Sequence, residues 1–302
     1  MKTPIDIISG FLGAGKTTLL NEMLASTYKG LKVAIVENEF GDVNIDSALL
    51  PKDISIKELS SGCACCTMRV DLILGLEELI SMNRFDRIVI EPTGVAKLSD
   101  MLSVLNSDNL NHIAQKGFVI TVVNPVFHSK YSGVLGDYYK NQIEHTDIVY
   151  ITRIDKTSNE VLSNVVADIK LINNVDIVKH LPPNLLNLNE TVNHDISDEN
   201  EHGENCCRHE HKHDLEHEEH HEGADSLFSS YLVEYKDIIL KQDISNLIEE
   251  IINASKGEVL RIKGSLTCDK GFFFIQWVPD ELNIEKTHSS NNFLVVIESN
   301  KK

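Results

Sequence analysis

The sequence predicts an α/β fold: a mostly parallel sheet with a glycine-rich loop at its head, then a disordered polar segment, then a small α+β domain. Three observations carry that prediction. From Pro4 to about His180, short β-branched runs alternate with longer amphipathic stretches, the pattern of βαβ units whose sheet is covered on both faces. Gly10, Gly13 and Gly15 fall between the first such run and the first such stretch. The region from Asn193 to Gly223 holds almost no apolar residue, and a different, strand-rich pattern begins after it.

Taken in order, the strand candidates of the first region are Ile5–Ser9, Lys32–Glu37, Ser55–Leu59, Arg87–Glu91, Gly117–Val123 and Ile148–Thr152. The amphipathic stretches Lys16–Leu24, Met68–Ile80 and Ser158–Ile172 are the expected helices between them. The His-, Glu-, Asp- and Asn-rich region that follows cannot bury a core and is expected to be a disordered linker or inserted loop. The chain resumes with a strand at Ser230–Tyr235, a helix near Asp243–Ala254, and strands near Glu258–Ile262, Gly271–Trp277 and Phe293–Ile297. The expected limits are 1–190 for the α/β domain, 191–224 for the polar segment and 225–302 for the small domain. No internal repeat is evident.

With 302 residues, 42% hydrophobic and 25% charged, the chain has the composition of a soluble globular protein large enough for a substantial core. No apolar run approaches the ~20 residues that span a bilayer, and Met1-Lys2-Thr3-Pro4 runs straight into the first strand without a signal-peptide pattern. A cytoplasmic protein without membrane attachment is expected. Of the net charge of −18, the stretch from His194 to Asp225 carries −10 (twelve acidic residues against Arg208 and Lys212), leaving −8 for the remainder. An acidic surface argues against nucleic acid as a partner, because phosphate backbones need Lys and Arg. Six cysteines fall in clusters, Cys63, Cys65 and Cys66, then Cys206 and Cys207, then Cys268. In a cytosolic chain such clusters point to metal or redox chemistry rather than to a disulfide framework.

Gly10-Phe11-Leu12-Gly13-Ala14-Gly15-Lys16-Thr17 matches the pattern G-x-x-x-x-G-K-S/T at every fixed position, between a strand and a helix as that motif requires. The first domain therefore reads as a P-loop NTPase. Glycines let backbone N–H groups curl around phosphate oxygens, and the helix N-terminus adds positive potential. Lys16 is expected to reach the β- and γ-phosphates and the Thr17 hydroxyl to ligate Mg²⁺. Gly10, Gly13, Ala14, Gly15, Lys16, Thr17 and Thr18 are the expected nucleotide contacts of this loop. Downstream, Glu91 ends an apolar run and Gly94 follows three residues later. Glu91 is placed near Mg²⁺ or the attacking water, and the Gly94 N–H near the γ-phosphate. Lys16, Glu91 and Asp42 are the candidate catalytic residues.

Thr152-Arg153-Ile154-Asp155 follows the sixth strand candidate, where GTPases carry N-K-x-D. The Asp155 carboxylate suits the paired donors of guanine, N1–H and the exocyclic amine, which adenine does not present. Arg153 takes the lysine position and could stack its planar guanidinium on the base. The match is partial, since Thr152 replaces Asn and Arg153 replaces Lys.

Cys63, Cys65 and Cys66 place three thiols within four residues, just beyond a strand. Thiolates favour Zn²⁺ and similarly soft ions, and three of them leave a position for Glu, His, water or a partner's ligand. The second strand ends in Glu37-Asn38-Glu39-Phe40-Gly41-Asp42. In an open parallel sheet, ligands gather at the carboxyl ends of strands, so the P-loop, this acidic segment, the cysteines and Glu91 are expected on one rim. Eight of the thirteen histidines, including His209, His211 and His213, lie in the polar segment beside Cys206 and Cys207. Imidazoles on a mobile segment are expected to act as auxiliary, quickly exchanging metal ligands. His112, His128 and His145 read as ordinary surface or core residues.

These motifs carry a resemblance. Gly10–Thr18 (GFLGAGKTT), Glu37–Asp42 (ENEFGD), Gly62–Cys66 (GCACC), Glu91–Gly94 (EPTG), the 152–155 motif and Leu260–Gly264 (LRIKG) resemble the CobW-type metallochaperone GTPases, relatives of HypB and UreG. The resemblance implies a P-loop GTPase that uses GTP and Mg²⁺ and whose Cys-x-Cys-Cys motif binds a transition metal such as zinc or cobalt. Glu37, Cys65 and Cys66 would be internal ligands with Cys63 close by, and a metal-requiring client protein would receive the ion. The chain departs from the family at Arg153, where lysine is usual, and at Asn124, where aspartate is common.

The leading expectation is a GTPase that transfers metal, with Zn²⁺ foremost and Co²⁺ or Ni²⁺ suited to the same donors. GTP and Mg²⁺ would order Glu39–Asp42 and shift Glu37 relative to the cysteines. The alternative is a non-catalytic metal buffer on a vestigial nucleotide fold, against which the intact phosphate loop speaks. A P-loop kinase is the third reading, and it leaves the cysteines and histidines without a role. Oligomeric state is not legible in the sequence.

Overall fold

A computed structural model describes residues 2–38, 55–58, 66–134, 136–182, 185–186, 228–287 and 292–300. Its first sheet is built from β1 (Thr3–Gly10), β2 (Val33–Asn38), β3 (Ser55–Glu58), β4 (Arg87–Pro92), β5 (Ala114–Val123), β6 (Ile148–Ile151) and β7 (Asp176–Val178). All its pairings are parallel, in the order β3-β2-β4-β1-β5-β6-β7. The helices between them are α1 (Lys16–Ala25), α2 (Cys66–Ser81), α3 (Leu98–Leu105), α4 (His128–Val134), α5 (Gly136–Glu144) and α6 (Asn159–Ile172).

Central strands covered on both faces must be apolar on both, and successive residues of one strand serve opposite layers. Ile7, Ala34, Val36, Ile88 and Ile90 pack with Leu72 and Leu76 of α2 and Leu98 of α3. Their strand neighbours Ile8, Ile35 and Val89 pack with Leu19, Leu20 and Met23 of α1. Three helices were missed in the sequence, α3, α4 and α5. They are short, and each depends on the sheet for its stability rather than on a long periodic pattern.

The second sheet contains β8 (Phe228–Glu234), β9 (Glu258–Cys268), β10 (Gly271–Val278), β11 (Glu281–Lys286) and β12 (Phe293–Ser299), with α7 (Ile244–Ala254) before β9. Its order is β11-β10-β9-β12-β8 and its pairings are antiparallel. Ile244, Ile248 and Ile251 of α7 cover one face, against Ile262, Phe273, Ile275 and Val296. The other face docks on the first domain: Phe228, Leu260, Val278 and Ile297 share a core with Phe11, Leu12, Phe127, Tyr131 and Tyr138. Phe11 meets Tyr131 at 4.4 Å between ring centroids, and Tyr138 meets Phe228 edge-on at 5.7 Å. Two residues of the P-loop thus belong to the core between the sheets. β11 was not foreseen; Glu281-Leu282-Asn283-Ile284-Glu285-Lys286 is too polar to announce an edge strand.

Candidate nucleotide and metal site

β1 delivers the chain into the loop at 10–15, and α1 starts at Lys16 with no side chain capping its first amides. Those N–H groups point out of the helix, the arrangement that holds anions. Gly13 has φ 68°, and a Cβ there would lie 2.5 Å from Val278 Cγ1. Glycine is therefore required both by the turn and by the close approach of the second sheet. Lys16 is buried, and its Nζ donates to the Gly10 carbonyl at 3.0 Å, which holds the ammonium over the loop. The Thr17 hydroxyl donates to Glu91 Oε1 at 3.0 Å. That pair joins the start of α1 to the end of β4, where a hard cation on phosphate oxygens would sit.

The segment after β4 is pressed against the loop, since a Cβ on Gly94 would fall 2.7 Å from the Leu12 amide nitrogen. Gln142 of α5, fully buried, holds this segment by donating to the carbonyls of Gly94 at 3.0 Å and Ala96 at 2.9 Å. Nothing in the sequence singled out Gln142; its role depends on the packing of α5.

After β6, the Thr152 hydroxyl donates to the Ala14 carbonyl at 2.9 Å, so this residue ties the 152–155 segment to the P-loop. Arg153 adopts a left-handed backbone, φ 50°. Its Nη1 donates to the Gly13 carbonyl at 3.2 Å and its Nε to Glu281 Oε2 at 2.9 Å. The guanidinium is thus engaged by the loop and by β11. Asp155 lies in a short 3₁₀ turn, exposed to solvent.

One cleft is lined by Gly13, Gly15, Lys16, Thr17, Thr18, Asn21 and Glu91 on the P-loop side. From across it, Arg261, Phe274, Gln276, Asn283 and Glu285 of the second sheet close the wall. These five were missed in the sequence. A period-two signal was present, because Gln276, Asn283 and Glu285 alternate with the apolar Ile275 and Ile284. Nothing local told which sheet face would meet the loop.

Glu37, near the end of β2, is 2% exposed. In the parallel ladder it pairs with Glu91 of β4 on one side and with Glu58 of β3 on the other. The acidic rim expected at the carboxyl end of the sheet is therefore present at Glu37 and Glu91. Asp42, Cys63, Cys65, His209, His211 and His213 lie outside the described residues, as does the whole of the expected polar segment. Cys66 opens α2. Among the described residues, no group of three or more His, Cys, Asp and Glu is placed to hold a metal ion. Glu37 is a hard oxygen donor that fits such a site as one member and does not form it alone. No helix among the described residues is long and apolar enough to cross a membrane.

Residues 4–179, more than half of the chain, match the model of the CobW/HypB/UreG nucleotide-binding domain. The chain belongs to the CobW/HypB/UreG family. Within this family it is 30% identical over 210 residues to zinc-regulated GTPase metalloprotein activator 1 of Dictyostelium discoideum, covering 57% of this chain and 44% of that one. It is 31% identical over 159 residues to the zinc chaperone YeiR of Escherichia coli, covering 52% and 48%. It is 26% identical over 302 residues to the zinc chaperone CobW of a Sinorhizobium species, covering 87% and 81%. The chain thus spans about half the length of the first two relatives and about four fifths of the third. The CobW/HypB/UreG nucleotide-binding domain includes every P-loop residue described above, Glu37, Glu91 and the 152–155 motif.

Proposed function

We propose that this chain is a GTP-hydrolysing metallochaperone that binds a transition metal at Glu37 with Cys63, Cys65 and Cys66 and passes it to a client protein under control of the nucleotide. The observation that carries this reading is the alignment of buried Glu37 with Glu91, which itself accepts from Thr17 of the P-loop. Adjacent strands lie about 4.8 Å apart, so a metal ligand stands one strand away from the phosphate machinery.

In this reading Lys16, the P-loop amides and the N-terminus of α1 hold the phosphates, and Thr17 with Glu91 would hold Mg²⁺, which would supply positive charge against the phosphates. Water adds to the γ-phosphorus, the bond to the β–γ bridging oxygen breaks, and GDP and phosphate leave. Asp42 and Glu91 serve as the acidic catalytic residues, Gly94 donates its N–H to the γ-phosphate, and Asp155 accepts from the guanine edge. Zinc is the favoured cargo: it suits thiolates with one carboxylate, and zinc is the metal in the names of the relatives above. Co²⁺ and Ni²⁺ suit the same donors. His209, His211 and His213 act as exchangeable ligands that feed or drain the principal site, in a reducing cytoplasm that keeps the cysteines as thiols.

The test is a metal titration against a competing chelator, in GDP and in a non-hydrolysable GTP analogue with Mg²⁺. Linkage requires equal and reciprocal effects of metal and nucleotide on one another's binding, typically about 5- to 150-fold. The difference is expected to vanish in Cys65→Ser/Cys66→Ser and to survive deletion of residues 193–223. Equal metal affinities in both nucleotide states would reduce the chain to a buffer beside a nucleotide site.

A further inference from the structure

The second sheet faces the nucleotide cleft with a buried arginine, and the strand irregularity that puts it there is visible in the register. Along β12, Ile297 pairs with Arg261 and Glu298 with Val259, so one step on β12 spans two on β9. Leu260 is the extra residue of a β-bulge, and bulges re-aim side chains. Val259 and Ile262 pack toward α7. Leu260 packs against the P-loop core, while Arg261 beside it lines the cleft with Lys16, Thr17 and Glu91. Without the bulge, two neighbouring residues of a strand would point to opposite faces.

The sheet is held in place against the P-loop, α4 and the segment after β6. Val278 packs on Gly13, Glu281 accepts from Arg153 Nε at 2.9 Å, and Lys130 pairs with Glu258 at 2.6 Å. Arg261 is 8% exposed, so its charge is carried into a nearly dry wall. The Tyr131 hydroxyl donates to the Leu12 carbonyl at 3.3 Å. Burial pushes its ionisation upward, Glu258 adds to this, and Arg153 and Arg261 oppose it.

We propose that Arg261 is a catalytic residue supplied by the C-terminal sheet, reaching the γ-phosphoryl group from the side opposite Lys16 and stabilising the charge that develops on it during transfer. A guanidinium is suited to this, because it stays charged and presents paired donors to phosphate oxygens. An arginine that does so from the same chain raises phosphoryl-transfer rates without a partner protein. The proposal rests on the GTPase reading above and adds a residue outside the family's nucleotide-binding domain, which ends at residue 179.

The experiment compares the full chain with Arg261→Ala, Arg261→Lys and Lys16→Ala. It measures single-turnover GTP hydrolysis and affinities for GDP and for GDP with aluminium fluoride, which mimics the transition state. Arg261→Ala is expected to slow hydrolysis by about 100-fold or more and to lose aluminium fluoride complex affinity by a similar factor, with GDP affinity changed less than about threefold. Arg261→Lys keeps the charge and loses the fork, and is expected to restore only part of both. It also decides the matter if the alanine variant fails to fold. Hydrolysis and aluminium fluoride affinity equal to the parent's in either variant would overturn the proposal. So would equal losses for GDP and its aluminium fluoride complex, which mark a purely structural role. If the parent itself neither binds nor hydrolyses GTP, or Lys16→Ala hydrolyses it as the parent does, the functional reading falls first; if the parent is active and Lys16→Ala abolishes hydrolysis, only the role of Arg261 is in question.

Discussion

Glu37 of β2 and Glu91 of β4 stand opposite one another in the parallel ladder, both buried, and Glu91 accepts a hydrogen bond from Thr17 of the P-loop. Residues in register on parallel strands share a sheet face, so the two carboxylates lie side by side across one strand spacing. At that distance and in a largely dry rim, a cation bound at one is felt at the other. Coupling between metal and nucleotide then needs no long relay.

Glu37→Gln keeps the shape of the side chain and removes its charge. It is expected to weaken tight metal binding by about 10- to 100-fold, in the range found when a metal site loses a supporting group, and to erase the difference between GDP and GTP-analogue states. GDP affinity is expected to stay within about threefold, since Glu37 is not among the described residues that line the cleft. Chelator competition in the two nucleotide states measures it, and a preserved difference would place the coupling elsewhere.

Glu281 reaches from β11 to Arg153 at 2.9 Å and to Lys156 at 3.5 Å. The pair is partly exposed, so its worth is about 0.5–1 kcal/mol. Glu281→Ala is expected to lower guanine nucleotide affinity by about 2- to 5-fold, because Arg153 braces the loop and belongs to the segment proposed to read the base. The loss should shrink at high salt, as screening predicts. Fluorescent-nucleotide titrations at low and high salt provide the check.

Asp6, fully buried in β1, accepts from Arg87 Nη1 at 2.6 Å, from the Tyr28 hydroxyl at 2.9 Å and from the Phe118 amide at 3.0 Å. Burial pushes its ionisation upward while Arg87 pulls it down. Arg87→Ala strands that carboxylate and is expected to cost about 3–5 kcal/mol in denaturant unfolding. Asp6→Asn/Arg87→Met, which removes both charges, is expected to recover much of the loss. A double variant as unstable as the single one would show that packing rather than charge decides the site.

His128 is buried between the Tyr139 hydroxyl at 2.8 Å and Asp168 at 3.2 Å. Burial holds its imidazole below the ordinary range, against the opposing pull of Asp168. The unfolded chain therefore takes up this proton first, near pH ~6.5. The His128 contribution to stability is complete above that pH and is lost as pH falls through it. Thermal unfolding between about pH 7.5 and 5.5 should show a flatter pH dependence in His128→Gln than in the parent. An unchanged slope would assign the acid sensitivity to other histidines.

Much of the first domain was legible because its signals are local. The P-loop glycines, the unbroken apolar strands and the longer amphipathic helices each follow from a few adjacent residues. All six strand candidates there appear with ends shifted by no more than about three residues. The three short helices, β7 and β11 were not legible. A short helix is decided by what it packs on, and an edge strand is too polar to declare itself. The histidine at position 128 read as an ordinary core or surface residue, and the structure gives it a buried place with two polar partners.

The sequence by itself determined the parallel α/β architecture, the phosphate loop and the identity of the acidic residues at the ends of β2 and β4. Those follow from spacing along the chain, which is the same in any folded state. Only the tertiary structure decided that Glu37 and Glu91 are neighbours, that Gln142 holds the segment after β4, and that the second sheet presents Arg261 to the cleft. Register, helix docking and a single-residue bulge are set by contacts between segments tens to hundreds of residues apart. Such contacts leave no pattern in the local sequence, because each partner alone is consistent with many others.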